Sequence, residues 1–232
     1  SNSYYIGAFS IIIVSIGIFI QALLRKQLFW FILAIVHFIF IFLNWELVDN
    51  HHYAWGFWIL CLWIVHLAPK KDQLRILQIL GSLLIGLVML FSIIQKYLSP
   101  DFLNGTFFYF TFLTDSRFSI FELFFPFAIK ESVYKNIDQL ELLQANVQTV
   151  KLFTPSIWLY TISKIISWYT FFIELALAIV YLVPNHWKLA KLRNILLLIF
   201  VITVYPLVPI PGFASLILIL GYTSSCNQSS QR

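Results

Sequence analysis

Gln95-Lys96-Tyr97-Leu98-Ser99-Pro100-Asp101-Phe102-Leu103-Asn104-Gly105 closes a long apolar segment, sets a lysine at its edge and restarts the chain with helix-initiating chemistry. Ser99, Pro100 and Asp101 read as an N-cap, a proline at the first helical position and an acid in the first turn. The apolar segments before this stretch form one series, and those after it a second.

Composition sets the solvent. Of 232 residues, 60% are hydrophobic and 11% charged, and the mean hydropathy is +0.86. A soluble domain carries about 25% charged residues, so this chain lacks the polar side chains to cover itself in water. Aromatics make up 19%, which suits Trp and Tyr at headgroup level and Phe against acyl chains. Cys61 lies in an apolar segment and Cys226 in a polar tail, settings that argue against a disulfide framework, a zinc site or a redox pair. The reading is all-α: a polytopic integral membrane bundle of six to seven spans, with amphipathic interfacial helices in an outer segment.

A crossing helix needs about 20 apolar residues. Segments 5–24, 28–47, 53–69, 74–95 and 156–183 meet that need. The first is too long for a simple signal core and reads as a retained span, and a start at Ser1 fits trimming or processing. Two shorter pieces follow, 194–208 and 212–223, separated by Pro206, Pro209, Pro211 and Gly212. Proline must break helix there, leaving either two short tilted spans or a re-entrant hairpin. The chain is thus one membrane domain: four spans over 1–96, an outer segment over 97–155, two to three spans over 156–223 and a polar tail over 224–232.

Charge placement gives orientation. Arg25, Lys26, Lys70, Lys71, Arg75, Lys188, Lys191 and Arg193 fall on one side in a serial count, with Asp72 the one acid among them. The other side holds Glu46, Asp49, His51 and His52 and then the 96–155 segment, where five bases meet six acids. The positive-inside rule therefore places the N-terminus and 96–155 outside and the C-terminus inside. Within that outer segment, Ser119 and Glu122 form a capping box for a helix over 120–129. Val133, Ile137, Leu140, Leu143, Val147 and Val150 then mark one apolar helical face, with Glu131 and Lys135 paired on the exterior. Thr154-Pro155 caps the fifth span.

An ionisable group within a span is costly and marks a candidate functional site. Glu174 sits near mid-depth, and Tyr160, Ser163, Ser167 and Thr170 precede it at steps of three and four. The stripe reads either as a polar pocket or relay or as a hydrogen-bonded seam between helices. His37 lies mid-span with Asn44 on the same face, and its depth predicts an approach to Glu174. Lys96 and Lys164 sit towards the outer ends of their spans, where snorkelling explains them and a buried general base is the sharper alternative. His51 and His52 lack a third nearby ligand, so no metal is expected. Nucleotide-binding, P-loop, zinc-protease, nucleophile-elbow and covalent-haem motifs are absent, and the basic residues do not interleave with aromatics as a nucleic-acid surface would. Asn104-Gly105-Thr106 is a glycosylation sequon on the outer side.

The stretch Gln95–Gly105 resembles the lysine-containing segment of the HTTM family, the membrane domain shared with vitamin K-dependent gamma-carboxylases, and is similar to the wider DoxX-like membrane proteins. A second likeness runs through Glu174-Leu175-Ala176-Leu177-Ala178 to Tyr181-Leu182-Val183-Pro184 and the basic loop ending at Arg193. The resemblance implies a helical bundle with a cavity opening to lipid or to the outer side, and a lysine base, here Lys96, acting on a reduced quinone. The carboxylases carry a histidine after the basic loop where this chain has Ile202-Thr203, and the β-rich lumenal region has no counterpart. Quinone or lipid binding is therefore expected rather than carboxylation of protein glutamate.

Two functions follow. The first is a non-catalytic accessory or scaffold subunit of a membrane complex, or a lipid- or quinone-binding bundle, with the bilayer and other membrane subunits as partners. The alternative is a membrane oxidoreductase or carboxylase-like enzyme that acts on a quinol or lipid with Lys96 as base.

Overall fold

The computed structural model describes residues 21–46, 48, 50–114, 135, 136, 138, 142, 157–206 and 211–225. Every regular element among them is helical. In chain order these are α1 (Gln21–Leu24), α2 (Gln27–Leu43), α3 (Asn50–Leu67), α4 (Lys70–Leu98), α5 (Pro100–Leu103), α6 (Thr106–Thr114), α7 (Ile157–Leu182), a 3-10 turn (Lys188–Leu192), α8 (Arg193–Val204) and α9 (Pro211–Ser225). Two of them, α4 and α7, are long and apolar enough to cross a bilayer, with 29 and 26 residues. The expected spans 28–47, 53–69, 74–95 and 156–183 coincide with α2, α3, α4 and α7. The pieces 194–208 and 212–223 become α8 and α9, of 12 and 15 residues. The span at 5–24 (apart from its last four residues), the capping box at Ser119 and Glu122, the Thr154-Pro155 cap, all six residues of the apolar face at 131–151 and the Glu131 partner of Lys135 lie outside the described residues.

The chain divides into two compact units, one of Ser1–Val88, Tyr181–Pro184 and Gly212–Arg232, the other of Met89–Val180 and Asn185–Pro211. In the first, α2 and α3 form a closely packed hairpin. Leu33, Ala34 and Ile59 are its buried core, flanked by Phe29 and Trp30. Gly56 permits the approach: a Cβ there would lie 3.0 Å from His37 Cδ2. Trp30 donates its indole N–H to the Leu24 carbonyl at 2.9 Å, tying α2 to the turn before it. Leu216, Ile217 and Leu220 of α9 are also fully buried.

The second unit is organised along α7. Its core joins Phe102, Phe108, Phe112 and Leu113 to Leu159. Residues 96–109 pair with α7 in an antiparallel ladder. Lys96 meets Glu174, Gly105 lies against Lys164, and Tyr109 packs edge-on against Tyr160 at 5.6 Å. The quoted stretch therefore interrupts a helical path twice, at Ser99 and at Asn104–Gly105, while keeping it beside a continuous partner.

The interruption is capped differently from the sequence expectation. α5 does begin at Pro100, with Ser99 extended before it, but the Ser99 side chain makes no cap hydrogen bond. The capping side chain is Asn104, whose Oδ1 accepts the Thr106 N–H at 2.8 Å at the start of α6. Gly105 holds φ +90, and a Cβ there would stand 2.8 Å from both Cα and N of Lys164. Glycine is required twice over, for its backbone angle and for the contact.

Gly105→Ala should therefore lower stability by more than about 2 kcal/mol, since the left-handed penalty of about 1–2 kcal/mol adds to a collision with backbone. Thermal unfolding in mild detergent reads this out. Gly212→Ala is the control, because the nearest atom to a Cβ there is 3.9 Å away. Equal midpoints for the two variants would refute the packing argument.

Candidate functional site: a buried lysine–glutamate pair

Ser92 and Lys96 are one helical turn apart on α4, so they share a face. Both point to Glu174 of α7. Ser92 Oγ donates to Glu174 Oε2 at 2.9 Å, and the Lys96 ammonium pairs with Oε1. The Lys96 Nζ also lies 5.0 Å from the centre of the Phe102 ring, where the ring's negative face attracts a cation. Side-chain exposure is 17% for Lys96 and 7% for Glu174. A buried pair of this kind repays its desolvation only when remaining lone pairs and donors are satisfied. Ser92 and Phe102 supply that completion.

The Lys96 assignment to simple snorkelling is corrected: its ammonium turns inward to Glu174 instead of reaching for headgroups. His37 has its hydrogen bond within the hairpin of the first unit. His37 Nε2 donates to the His52 carbonyl at 2.9 Å, bridging α2 and α3. Asn44 serves the end of α2, donating to Phe40 O at 2.9 Å.

The stripe above Glu174 resolves into separate roles. Ser163 and Ser167 are fully buried and Thr170 nearly so. Each hydroxyl bonds a carbonyl of its own helix: Ser163 to Leu159, Ser167 to Ser163 and Thr170 to Ser167, at 2.8, 3.0 and 2.9 Å. These hydroxyl protons are thus used within α7, and the stripe is a small-residue packing face rather than a relay. Gly105 reaches the α7 backbone at Lys164, next to Ser163. Tyr160 is exposed and meets Tyr109 edge-on. Lys164 is exposed and lies ten residues, about 15 Å, along α7 from Glu174, so it is not a member of the pair.

Sequence reasoning passed over three contributors. Ser92 carried a signal in its four-residue spacing from Lys96. Phe102 carried none, because its placement under Lys96 depends on the turn at Ser99. Arg193 was counted among the charges of a solvated loop, yet it is buried. Its Nε donates to Val180 O at 2.7 Å and its Nη1 to Asn185 Oδ1 at 2.5 Å. It thereby satisfies a carbonyl in the last turn of α7, where helix ends leave acceptors open and favour cations. Among the described residues, no group of three or more His, Cys, Asp or Glu side chains is placed to hold a metal ion. No family model, curated protein or solved structure matches the chain.

Removing one partner should cost more than removing both. Lys96→Met leaves Glu174 buried without its cation, and loss of one member of such a pair costs about 3–5 kcal/mol. The Lys96→Met/Glu174→Met double variant should recover most of that loss. A thermal double-mutant cycle in detergent measures the coupling, and additive losses would show that the pair is not a unit.

Proposed function

We propose that the chain is a multi-pass integral membrane protein, an HTTM- or DoxX-like bundle of six to seven spans, serving as a non-catalytic accessory or scaffold subunit of a membrane complex. Two long apolar helices support insertion. So does the lateral surface of α2, where Leu28, Ile32, Ile35, Ile39 and Phe42 are all exposed, Phe42 to 78%. A helix immersed in water would bury such a face against a neighbour. The basic residues at the α1–α2 and α3–α4 connections support the proposed orientation.

The observation that carries the scaffold reading is the engagement of Lys96. A lysine acting as base on a quinol must present a free amine to its substrate. Here the ammonium is held by Glu174 and flanked by Phe102, and Ser92 holds the other carboxylate oxygen. That arrangement joins α4 to α7 and leaves the reactive nitrogen facing protein. The competing reading, a quinol- or lipid-modifying enzyme, rests on the same two residues and requires the pair to open.

Purification in mild detergent separates the readings. The scaffold predicts a co-purifying membrane subunit in fixed ratio, no extractable quinone, and loss of that subunit in Lys96→Ala. Bound quinone with turnover abolished in both Lys96→Ala and Glu174→Gln would establish the enzyme instead. Orientation is read from single cysteines in a background with Cys61 and Cys226 replaced. An impermeant thiol reagent added outside should label Asp101→Cys and spare Lys71→Cys, and the reverse result would invert the topology.

A further inference from the structure

We propose that the α2–α3 hairpin binds an anionic phospholipid, with the phosphate at Lys26 and one acyl chain along an aromatic groove between the helices. The proposal rests on the membrane reading above and names a ligand class for a different part of the chain from the Lys96–Glu174 pair.

Two hollows on the first unit meet end to end. One, of about 650 Å³, runs between α2 and α3 and is walled by Phe31, Ile35, Phe38, Phe42, Trp45 and Tyr53 among others. The second, of about 440 Å³, is formed by Lys26, Gln27, Leu28, Phe31 and Trp63. Phe31 belongs to both, and its ring sits 5.0 Å from that of Trp63, forming the step between them. The combined shape is polar at one end and apolar along the rest.

Charge decides the headgroup. The polar end offers the Lys26 ammonium and the Gln27 amide, and among the described residues no acidic side chain lines either hollow. Arg25 is exposed one residue before Lys26, so the mouth is a cationic site that a phosphate diester complements. The proposed inner-leaflet position of this end is where anionic lipids concentrate and where basic pockets between helices hold their headgroups. Length fits the chain. From Phe31 to Leu43 the helix rises about 18 Å, which accommodates an acyl chain crossing one leaflet of about 15 Å. Trp45 and Tyr53 close the far end with amphipathic rings.

The test uses the full-length protein in mild detergent, with palmitoyl-oleoyl phosphatidylglycerol and phosphatidylcholine as probes and retained lipid counted by native mass spectrometry. The anionic lipid should be retained about fivefold more tightly, the preference expected from one lysine at a membrane surface. Lys26→Glu should abolish the preference and Lys26→Arg should keep it. Lys71→Glu, which changes an exposed lysine outside both hollows, should also keep it. Ile35→Trp should reduce retention of both lipids by filling the groove, and the Lys26 series decides the matter if that variant does not fold. Equal retention of the two lipids, or a preference unmoved by Lys26→Glu, overturns the proposal. Quantitative crosslinking of Ile35→Cys to a cysteine placed within residues 5–20 also overturns it, because the chain's own apolar segment would then occupy the groove. Release of the protein from membranes by alkaline carbonate would defeat the membrane reading itself. A protein that resists carbonate but lacks the preference defeats only the lipid site.

Discussion

The pairing of Lys96 with Glu174 is the constraint on which the second unit depends. It fixes the register between the end of α4 and the middle of α7, and the remaining contacts follow from that register. With residue 96 level with 174, Gly105 lies against Lys164 and Tyr109 against Tyr160, so the broken path from 96 to 109 keeps pace with α7. The ladder continues only because the chain between these levels breaks twice without losing its direction. Ser99-Pro100 ends α4, and Asn104-Gly105 provides the second turn with a side-chain cap and a positive φ.

Under the membrane reading proposed above, such an arrangement solves a specific problem. In a nonpolar medium every backbone group must find a partner, so interrupted helices persist only where protein covers the break. The interruption at Ser99 is beside a lysine, a carboxylate and an aromatic ring. The one at Gly105 lies against the α7 backbone at Lys164, next to Ser163, whose hydroxyl bonds within its own helix. Arg193 does a related task at the other end of the same helix, donating to a late carbonyl of α7. Three polar devices thus serve one long helix, and each acts on backbone geometry.

The two units call for different chemistry. In the second, one charged pair, Lys96 with Glu174, ties two helices together. In the first, the hairpin of α2 and α3 is held by apolar packing at Leu33, Ala34 and Ile59 and by one histidine-to-carbonyl hydrogen bond. Lys26 and Gln27 lie at its edge, next to an aromatic groove. A ligand site is therefore easier to place on the hairpin than on the Lys96–Glu174 pair, whose groups already satisfy one another.

Sequence alone determined the helical class, the apolar character and the positions of α2, α3, α4 and α7, because length and hydropathy are local properties of a segment. It also singled out Lys96 and Glu174, since charge in an apolar run is visible without knowing the fold. Partner choice was not visible. Depth along a helix is one coordinate and leaves rotation about the helix axis free. Only tertiary packing fixed that rotation, setting Ser92 and Lys96 against Glu174 and His37 against His52. The same limit explains Arg193, which reads as a loop charge until the end of α7 is folded beside it. It explains Asn104 as well: the cap depends on the φ that Gly105 takes, and that angle is held by contact with Lys164.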